Sequence, residues 1–247
     1  AKLVLCARGR AGLDAIAKEL RSTCEVITSV MDVADTSQCL KLLKEAETKF
    51  GAVHVVVNNA GMHTRGDLET VDPGDVAAMV DINLRAPMVL SCAAIPFLHR
   101  AGSGAIVNIG SLAGRAPLQG AATYSGTKAG LRAFSYALAD ELKDAGINVG
   151  VVSPGPIDTG FIMDEIDKVE DIVFSQPMSS AEQVADAVIS IAAGEEVEIS
   201  LPAASGKLTT LSYLFPTLRR RLRPKLYAQG RKNKEKYRNR QSMEEAP

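Results

Sequence analysis

Short runs of apolar residues alternate along the chain with longer segments in which apolar positions recur every three or four residues. In most of the short runs the apolar residues follow one another without alternation, which indicates strands covered by helices on both faces of a parallel sheet. The pattern therefore predicts an α/β fold. The runs are Leu3–Cys6, Glu25–Val30, Val53–Val57, Ala105–Ile109, Asn148–Val152 and Val197–Leu201.

Two of the longer segments carry the polar and glycine signals of helix ends. Asp35–Ser37 precede an amphipathic stretch that runs to Phe50 and is followed by Gly51. Ser179–Glu182 precede a second such stretch, which Gly194 follows. Side-chain oxygens cap helix N-termini and glycine ends helices, so both stretches are predicted to be helical.

The length and composition of the chain suit a single domain. Its 247 residues are 46% hydrophobic, enough for one substantial core. The formal net charge of -1 conceals an uneven distribution: residues 1–206 hold 16 basic and 26 acidic side chains, whereas residues 207–247 hold 12 and 3. We therefore predict a domain over residues 1–205 and a basic C-terminal extension over residues 206–247.

The C-terminal extension joins an apolar segment, Leu208–Pro216, to a basic cluster, Arg219–Arg223. Such a surface suits an anionic membrane, which makes residues 207–240 a candidate membrane-binding region. A solvated helical extension explains the same composition. Nucleic acid binding is not predicted, because only Tyr227 and Tyr237 interleave with the basic residues.

The cysteines and histidines show no spacing typical of metal ligands or disulfides, so no metal site is predicted. His54, His63 and His99 are expected in packing or surface positions. No continuous apolar run approaches the roughly 20 residues of a membrane-spanning helix, and no signal peptide is visible. These features fit a cytoplasmic protein or one peripheral to an intracellular membrane, unless a targeting segment precedes Ala1.

A hydroxyl, a phenol and an ammonium group follow one another in the middle of the chain. Tyr124 and Lys128 lie one helical turn apart, and Ser111 lies upstream, just after an apolar run. Hydride transfer to a ketone leaves negative charge on the carbonyl oxygen, which calls for a proton donor and a hydrogen bond. Tyr124 and Ser111 supply these, and Lys128 lowers the pKa of the phenol. The pattern predicts carbonyl reduction or alcohol oxidation; the alternative is a packed aromatic beside a solvated lysine.

Five segments stand in the order and spacing of the short-chain dehydrogenase/reductase family, which the chain resembles over about residues 2–200. The resemblance implies a Rossmann-type doubly wound parallel sheet, single-domain, with strand order 3-2-1-4-5-6-7 and the dinucleotide at the switch point. It also implies a homodimer or homotetramer formed through long helices near residues 73–100 and 121–145. The segments are Asp32–Val33, Asn58–Gly61, Asn83 within Asp81–Leu84, Ser111 and Pro154–Thr159.

One element of the family pattern is absent. Family members open with a strand and a turn of the form T-G-x-x-x-G-x-G, whereas this chain starts with Ala1–Arg8, which resembles the second strand. Without the first strand, its two neighbours would face each other across an open slot with unpaired backbone groups. We therefore expect a βα unit of roughly 25 to 35 residues ahead of Ala1. A genuine short form of the protein is the alternative.

The resemblance also implies the roles of the site residues. Tyr124 and Lys128 contact the nicotinamide ribose, and Asn83 anchors a water relay that resupplies protons. Because Arg8 ends the family's second strand and no acidic residue does, NADP(H) is favoured over NAD. The remaining contacts fall on adenine (Asp32, Val33), on the adenosine ribose (Asn58, Ala60, Gly61) and on the carboxamide and phosphates (Pro154, Gly155, Ile157, Thr159).

The predicted function is NADP(H)-dependent oxidoreduction of a carbonyl/alcohol pair by the complete protein. Residues 160–178 form the expected substrate lid. Its apolar residues, in Phe161–Met163 and Ile172–Phe174, favour a hydrophobic substrate such as a steroid, a retinoid or a lipid ketone. The alternative is a non-catalytic, truncated member of the family that acts as a binding or structural partner of an intact homologue.

Overall fold

Six parallel strands alternate with helices in the computed structural model, which describes residues 1–244 and the side chains of residues 1–240. All six predicted strands are present, and their ends lie within two residues of the predicted ones. The strands are β1 (Lys2–Ala7), β2 (Glu25–Val30), β3 (Val55–Asn58), β4 (Gly104–Ile109), β5 (Ile147–Pro154) and β6 (Glu198–Leu201). The helices are α1 (Arg10–Leu20), α2 (Thr36–Phe50), α3 (Pro73–Val80), α4 (Ala86–Ala101), α5 (Ala122–Leu142), α6 (Gly160–Met163), α7 (Ala181–Ala192), α8 (Ala203–Leu214) and α9 (Pro216–Glu244).

The strands form two parallel sheets. β1 pairs with β2, and β3, β4, β5 and β6 follow one another in the second sheet. These two pairings fit the doubly wound order, so the Rossmann-type fold is confirmed. β1 and β3 belong to separate sheets, and the slot between them stays a prediction. Val55 and Val57 of β3, which would border this slot, are 49% and 42% exposed.

Helices cover both faces of the four-stranded sheet. On one face, Leu98 of α4 and Leu138 of α5 pack around Ile106 of β4. On the other face, Ile191 of α7 packs around the next residue of the strand, Val107. Successive side chains of a strand point to opposite faces, so burial on both sides explains the continuous apolar runs.

The two predicted helices with capping signals are confirmed as α2 and α7. The Asp35 carboxylate accepts backbone N–H groups in the first turn of α2, and Gly51 ends this helix with a φ of 86°. Ser180 forms a reciprocal capping box with Gln183 at the start of α7. These hydrogen bonds satisfy backbone groups that a helix end otherwise leaves unpaired.

A long apolar helix is built from α3, a π-helical turn over Asp81–Arg85, and α4. It covers 29 residues, Pro73–Ala101, and an 18-residue window within it reaches a mean hydropathy of 1.4, so by length and composition alone it could span a membrane, contrary to the sequence-based expectation. Leu90, Ala94 and Leu98 are buried in the core beside the sheet. We therefore interpret it as a core helix.

The C-terminal extension continues from the domain without a break at residue 206. Gly206 lies inside α8, where a Cβ would come 2.4 Å from the Ser200 side chain of β6. The close packing of α8 on β6 therefore depends on this glycine. The division at residue 205 remains a prediction, and the last three residues of the predicted extension, 245–247, lie outside the described part.

A buried charge cluster joins β6 to β5, α5 and the loop after β4. The Glu198 side chain is 4% exposed and accepts hydrogen bonds from Arg132 at 2.7 Å, Ser153 at 2.7 Å and Tyr136 at 2.9 Å. It also pairs with Arg115. Burial raises the pKa of Glu198, but these hydrogen bonds outweigh burial and hold the pKa at about 2.

Candidate active site

The predicted site residues follow the carboxyl ends of the parallel strands. These ends meet at one edge of the fold, where doubly wound proteins bind their ligands. The structure therefore gathers residues that are far apart in the sequence. Arg8 follows β1, Asp32 follows β2, Gly61 follows β3, Ser111 follows β4 and Gly155 follows β5.

Ser111 and Tyr124 come together because a glycine lets the loop after β4 approach α5. Ser111 caps a 3₁₀ turn over Leu112–Gly114, and its Oγ accepts a backbone N–H of this turn at 3.1 Å. A Cβ on Gly114 would lie 2.6 Å from the backbone carbonyl carbon of Lys128, so glycine is required for this approach. The Ser111 side chain thereby reaches hydrogen-bonding range of the Tyr124 phenol.

Lys128 is buried beside Tyr124, with 4% of its surface exposed. Its Nζ donates to the carbonyl oxygen of Ile109 at 2.8 Å and lies 5.8 Å from the centre of the Tyr124 ring. Burial lowers the pKa of Lys128 to about 8, so the ammonium is still the main form at pH 7. The alternative of a solvated lysine is therefore wrong.

The Tyr124 phenol experiences opposing effects. Its pKa is raised above the ordinary value, because burial outweighs a hydrogen bond with Ser111 and the charge of Arg65, which both lower it. The net lowering of this pKa expected from Lys128 is therefore wrong. Arg65 was not among the predicted site residues. The structure thus adds a second cation near the phenol to the expected Lys128.

His63 packs directly against Tyr124. Like Arg65, it was not among the predicted site residues. The two rings stack with their centres 4.2 Å apart and their planes 15° from parallel. Burial and the charge of Arg65 lower the pKa of His63 to about 4, so the imidazole is neutral at physiological pH. The only available sequence signal was position, since residues 63 and 65 follow Gly61 in the loop after β3.

Asn83 fastens the loop after β3 to the site. Its Oδ1 accepts the N–H of Met62 at 2.8 Å, and its Nδ2 donates to the carbonyl oxygen of the same residue at 2.8 Å. Gly61 sits between the two polar groups: a Cβ there would lie 3.4 Å from Asn83 Oδ1 and 3.7 Å from Lys128 Nζ. Asn83 and Lys128 therefore flank one glycine, and the water relay at this place stays a prediction.

The side chain of Asn58 is buried and forms hydrogen bonds inside the domain. Its Nδ2 donates to Asn108 Oδ1 at 2.7 Å and to Ser91 Oγ at 3.2 Å. Asn108 in turn donates to Ser135 Oγ at 2.9 Å, so the network joins β3, β4, α4 and α5. The predicted cofactor contact of Asn58 is thus limited to its backbone, while Ala60, farther along the loop, is exposed.

The predicted adenine and 2′-phosphate contacts stay predictions, and the structure shows how each residue is held. Arg8 is exposed after β1. Asp32 Oδ1 accepts the N–H of Ala34 at 2.9 Å. The Val33 side chain packs on the core, which leaves its backbone for a ligand, as the resemblance implies.

The segment after β5 is held by β6 and by the lid. Pro154 ends β5, and the N–H of Gly155 donates to the carbonyl oxygen of Leu201 at 2.7 Å. Ile157 forms an isolated parallel bridge with residue 179, and Thr159 precedes α6. These residues border the edge where the carboxamide and phosphates are predicted, and their contacts with a cofactor stay predictions.

The apolar residues of the lid form a core of their own. Residues 160–178 fold into α6 and two 3₁₀ turns, Ile166–Lys168 and Asp171–Ser175. Most of their apolar side chains pack on one another and on α9, so they do not indicate a hydrophobic substrate. The buried members are Ile162, Ile166, Val169 and Phe174, with Met163, Val173, Met178 and Tyr237 packed around them.

Helix α9 docks on this lid through its second half. The buried Lys234 ammonium donates to the carbonyl oxygen of Val169 at 2.6 Å, and Arg231 pairs with Asp171 at 3.1 Å. A Cβ on Gly230 would lie 1.8 Å from the carbonyl oxygen of Asp171, so the helix and the lid are in direct backbone contact. A solvated extension is therefore wrong for this half of α9, in which Arg231, Lys234, Arg238 and Arg240 pair with acidic residues of the domain.

A pocket of about 210 Å³ lies between His63 and the lid. Charged and polar side chains make up much of its wall. Among residues 1–240, no group of three or more His, Cys, Asp or Glu side chains is arranged to hold a metal ion. The wall includes His63, Arg65, Leu118, Lys168, Glu170 and Val173.

Two curated relatives are similar to about two thirds of the chain. It is 34% identical over 163 residues to sulfoacetaldehyde reductase 2 of Chromohalobacter salexigens, covering 65% of each protein. It is 32% identical over 163 residues to an NADP-dependent 3-hydroxy acid dehydrogenase of Schizosaccharomyces pombe, covering 65% of this chain and 63% of that protein. The chain spans about half to two thirds of the length of such curated relatives.

A solved structure and a family match complete the comparison. The crystal structure of a metagenomic short-chain oxidoreductase in complex with NADP is similar with a TM-score of 0.59 and 32% identity, over 64% of this chain and 71% of that chain. Residues 1–170 match the family described as short chain dehydrogenase. With more than half of its length matched and the Ser111, Tyr124 and Lys128 side chains assembled, the chain belongs to the short-chain dehydrogenase family.

Proposed function

We propose that the protein is an NADP(H)-dependent oxidoreductase that interconverts a carbonyl compound and its alcohol. The convergence of Ser111, Tyr124 and Lys128 beside the strand ends carries the proposal. In the reducing direction, the phenol of Tyr124 donates a proton to the carbonyl oxygen, and the Ser111 hydroxyl donates a hydrogen bond to it. The Lys128 ammonium stabilises the phenolate that remains.

NADPH supplies the hydride in this proposal, and the chain offers residues that suit it. Arg8 is exposed at the strand edge, and a guanidinium matches the geometry of a 2′-phosphate. Gly61 and Gly155 keep the loops after β3 and β5 free of side chains at the same edge. The NADP bound in the metagenomic structure and the cofactor named for the S. pombe relative support the same choice.

Replacing Arg8 with Ala is expected to weaken NADPH binding much more than NADH binding, because only NADPH carries the 2′-phosphate. Loss of one charge-assisted contact, about 1.5 to 3 kcal/mol, corresponds to about tenfold or more in affinity. Fluorescence titration of both cofactors measures the effect. Arg10→Ala, two residues farther on and also exposed, is the matched control. Equal weakening of both cofactors would show that Arg8 does not bind the phosphate.

A binding or structural role without catalysis is the second candidate function. The separation of β1 and β3 into two sheets favours it, because the family places between them a strand whose following turn holds the pyrophosphate. Titration of NADPH against the 247-residue chain, and against a version that carries an added N-terminal strand and glycine-rich turn of the family form, separates the candidates. Micromolar binding by either form supports the enzyme, and no binding by both supports the structural role.

The proposed substrate is a small carbonyl compound or alcohol. The lid offers no support for a steroid, a retinoid or a lipid ketone, because its apolar side chains are occupied by one another and by α9. The pocket of about 210 Å³ is also smaller than the roughly 300 to 1,000 Å³ of pockets that enclose drug-sized ligands.

We further propose that the bend between α8 and α9 contacts an anionic membrane surface. Leu208, Leu211, Leu214 and Phe215 are 46% to 66% exposed there, an unusual concentration for a soluble surface. Arg219–Arg221 follow directly and supply positive charge. This region is shorter than the predicted 207–240, because the second half of α9 is docked on the lid.

The chain is expected to sediment with vesicles that contain phosphatidylserine, and high salt should release it only in part, since apolar insertion adds to the attraction of about 1 kcal/mol per basic residue. The double variant Leu214→Glu/Phe215→Glu should lose binding. Ile189→Glu is the control, because Ile189 is an exposed apolar residue on α7, away from the bend.

Neutral vesicles give the baseline of the sedimentation assay. Absence of binding at low salt would contradict the membrane proposal. So would a loss of oligomer mass in the Leu214→Glu/Phe215→Glu variant, because the patch would then be an interface between copies of the chain. The homodimer or homotetramer proposed from the family forms through α4 and α5 and would leave the apolar residues at the bend between α8 and α9 exposed. The same measurement of oligomer mass tests for it.

A further inference from the structure

His63 presents an unused hydrogen-bond donor beside Tyr124. Arg65 Nη1 lies 3.0 Å from His63 Nδ1, and a guanidinium can only donate, so Nδ1 is the acceptor. The proton of the neutral ring is therefore on Nε2. Among the side chains of residues 1–240, none accepts from this buried Nε2–H. Buried donors are rarely left without a partner, which points to a ligand.

Arg65 is fixed in the position that sets this tautomer. Its side chain is 9% exposed, its Nη2 donates to the carbonyl oxygen of Phe161 at 2.9 Å, and its Nε lies 3.4 Å from Glu165 Oε2. Both partners belong to the lid. The closed lid thus holds Arg65, and Arg65 holds the imidazole with its donor on the side away from Nδ1.

The stacked geometry and the pocket define what this donor can reach. Because the rings of His63 and Tyr124 are 4.2 Å apart, a substrate oxygen at the imidazole lies close to the carbonyl oxygen at the phenol. Arg65 and Lys168 add positive charge to the wall of the small pocket. The similar proteins named for a 3-hydroxy acid and for sulfoacetaldehyde act on compounds with an anionic group near the reacting carbon.

We propose that His63 determines substrate specificity by donating its Nε2–H to the carboxylate of a small oxo or hydroxy acid while Tyr124 acts on the carbonyl oxygen. The acid group lies one or two carbons from the carbonyl, as the closeness of the two donors requires. The proposal rests on the proposed oxidoreductase function and names its substrate class. Arg65 is a positioning residue that keeps the donor on Nε2.

The test compares one acidic and one neutral ketone of similar size, 3-oxobutanoate and 2-pentanone, with NADPH as reductant. His63→Phe keeps the stack on Tyr124 and removes the donor, so kcat/KM for 3-oxobutanoate should fall about tenfold or more. For 2-pentanone, kcat/KM should change by less than about threefold. His99→Phe, at the exposed end of α4, should change neither.

A second variant and a pH profile separate a donor from a structural support. His63→Gln restores an N–H donor and should recover part of the activity with 3-oxobutanoate. Between pH 5.5 and 7.5 the profiles of wild type and His63→Phe should have the same shape, because the imidazole stays neutral. An ionisation near pH 6.5 that is present only in the wild type would overturn the neutral donor.

Three outcomes would overturn the assignment of His63 in different ways. Equal losses for both ketones would show that the ring only supports Tyr124. A wild-type preference for 2-pentanone would show that no acid group is recognised. NADPH binding, measured separately, identifies a failure of the proposed function itself: a chain that neither binds NADPH nor reduces either ketone would overturn both proposals.

Discussion

Replacing Tyr124 with Phe is expected to lower kcat for carbonyl reduction by about 10²-fold or more, because it removes the proton donor and leaves the ring and its stack on His63 in place. Steady-state oxidation of NADPH with an accepted ketone measures the effect, in whichever form of the chain turns over. Ser111→Ala should behave similarly, since it removes the hydrogen bond to the carbonyl oxygen.

The control for this experiment is Tyr213→Phe, which removes an exposed phenol on α8. NADPH affinity should change little in Tyr124→Phe, so that the loss appears in kcat. Near-normal turnover by Tyr124→Phe would remove the basis of the proposed mechanism, because no other phenol lies beside Ser111 in the described structure.

The Glu198→Ala variant is expected to lose about 3 to 5 kcal/mol of unfolding free energy. The substitution removes the carboxylate that Arg115 and Arg132 share, so both partly buried charges lose their partner. Arg115 is 15% exposed and Arg132 33% exposed at its side chain, so water compensates only in part. Urea denaturation monitored by circular dichroism measures the change. Glu25→Ala is the control, since its ion pair with Lys2 is exposed and should contribute at most about 1 kcal/mol.

The same cluster gives the protein a specific sensitivity to acid. The folded pKa of Glu198, about 2, lies below the ordinary value of 4.5, so its contribution to stability is complete above about pH 4.5 and is lost as the pH falls toward 2. Glu198→Ala should remove this part of the pH dependence. A loss below about 1 kcal/mol in the variant, with an unchanged acid transition, would contradict the account.

The strands, the capped helices and the closeness of the three proposed catalytic side chains could be predicted because their signals are local or evenly spaced. Asp35 and Gly51 bound α2 through contacts within a few residues. Tyr124 and Lys128 share a helical turn. The separation of β1 from β3 into two sheets also agrees with the family's strand order, which places another strand between them.

The second cation at the phenol could not be predicted, because its place depends on long-range packing. Arg65 reaches Tyr124 only since the loop after β3 folds over the end of α5, and its partners Phe161 and Glu165 lie far along the chain. The substrate predicted from the lid sequence lacks support for the same reason, because the packing of the lid depends on residues far along the chain. The lid's apolar residues suggested a hydrophobic substrate, but Phe174 is buried against Tyr237 of α9.

Charge asymmetry marked the C-terminal extension, yet composition did not show where its charges would be neutralised. Acidic residues that belong to the domain receive them: Arg231 pairs with Asp171, and Arg240 with Asp158. Only the structure brings the two segments together. The basic stretch therefore includes residues that contact the domain and the lid, from Arg223 onward, and the arginines 219–221 before them, for which no such ion pair is found in the described structure.

The docking of α9 on the lid couples the C-terminal helix to the wall of the pocket beside His63. The lid contains no strand and only one short α-helix, so few backbone hydrogen bonds hold it by themselves. With Lys234 anchored on Val169, the lid and the second half of α9 form one unit of local unfolding. A tag, a protease or a partner that displaces α9 is therefore expected to loosen the lid residues that line the pocket beside His63.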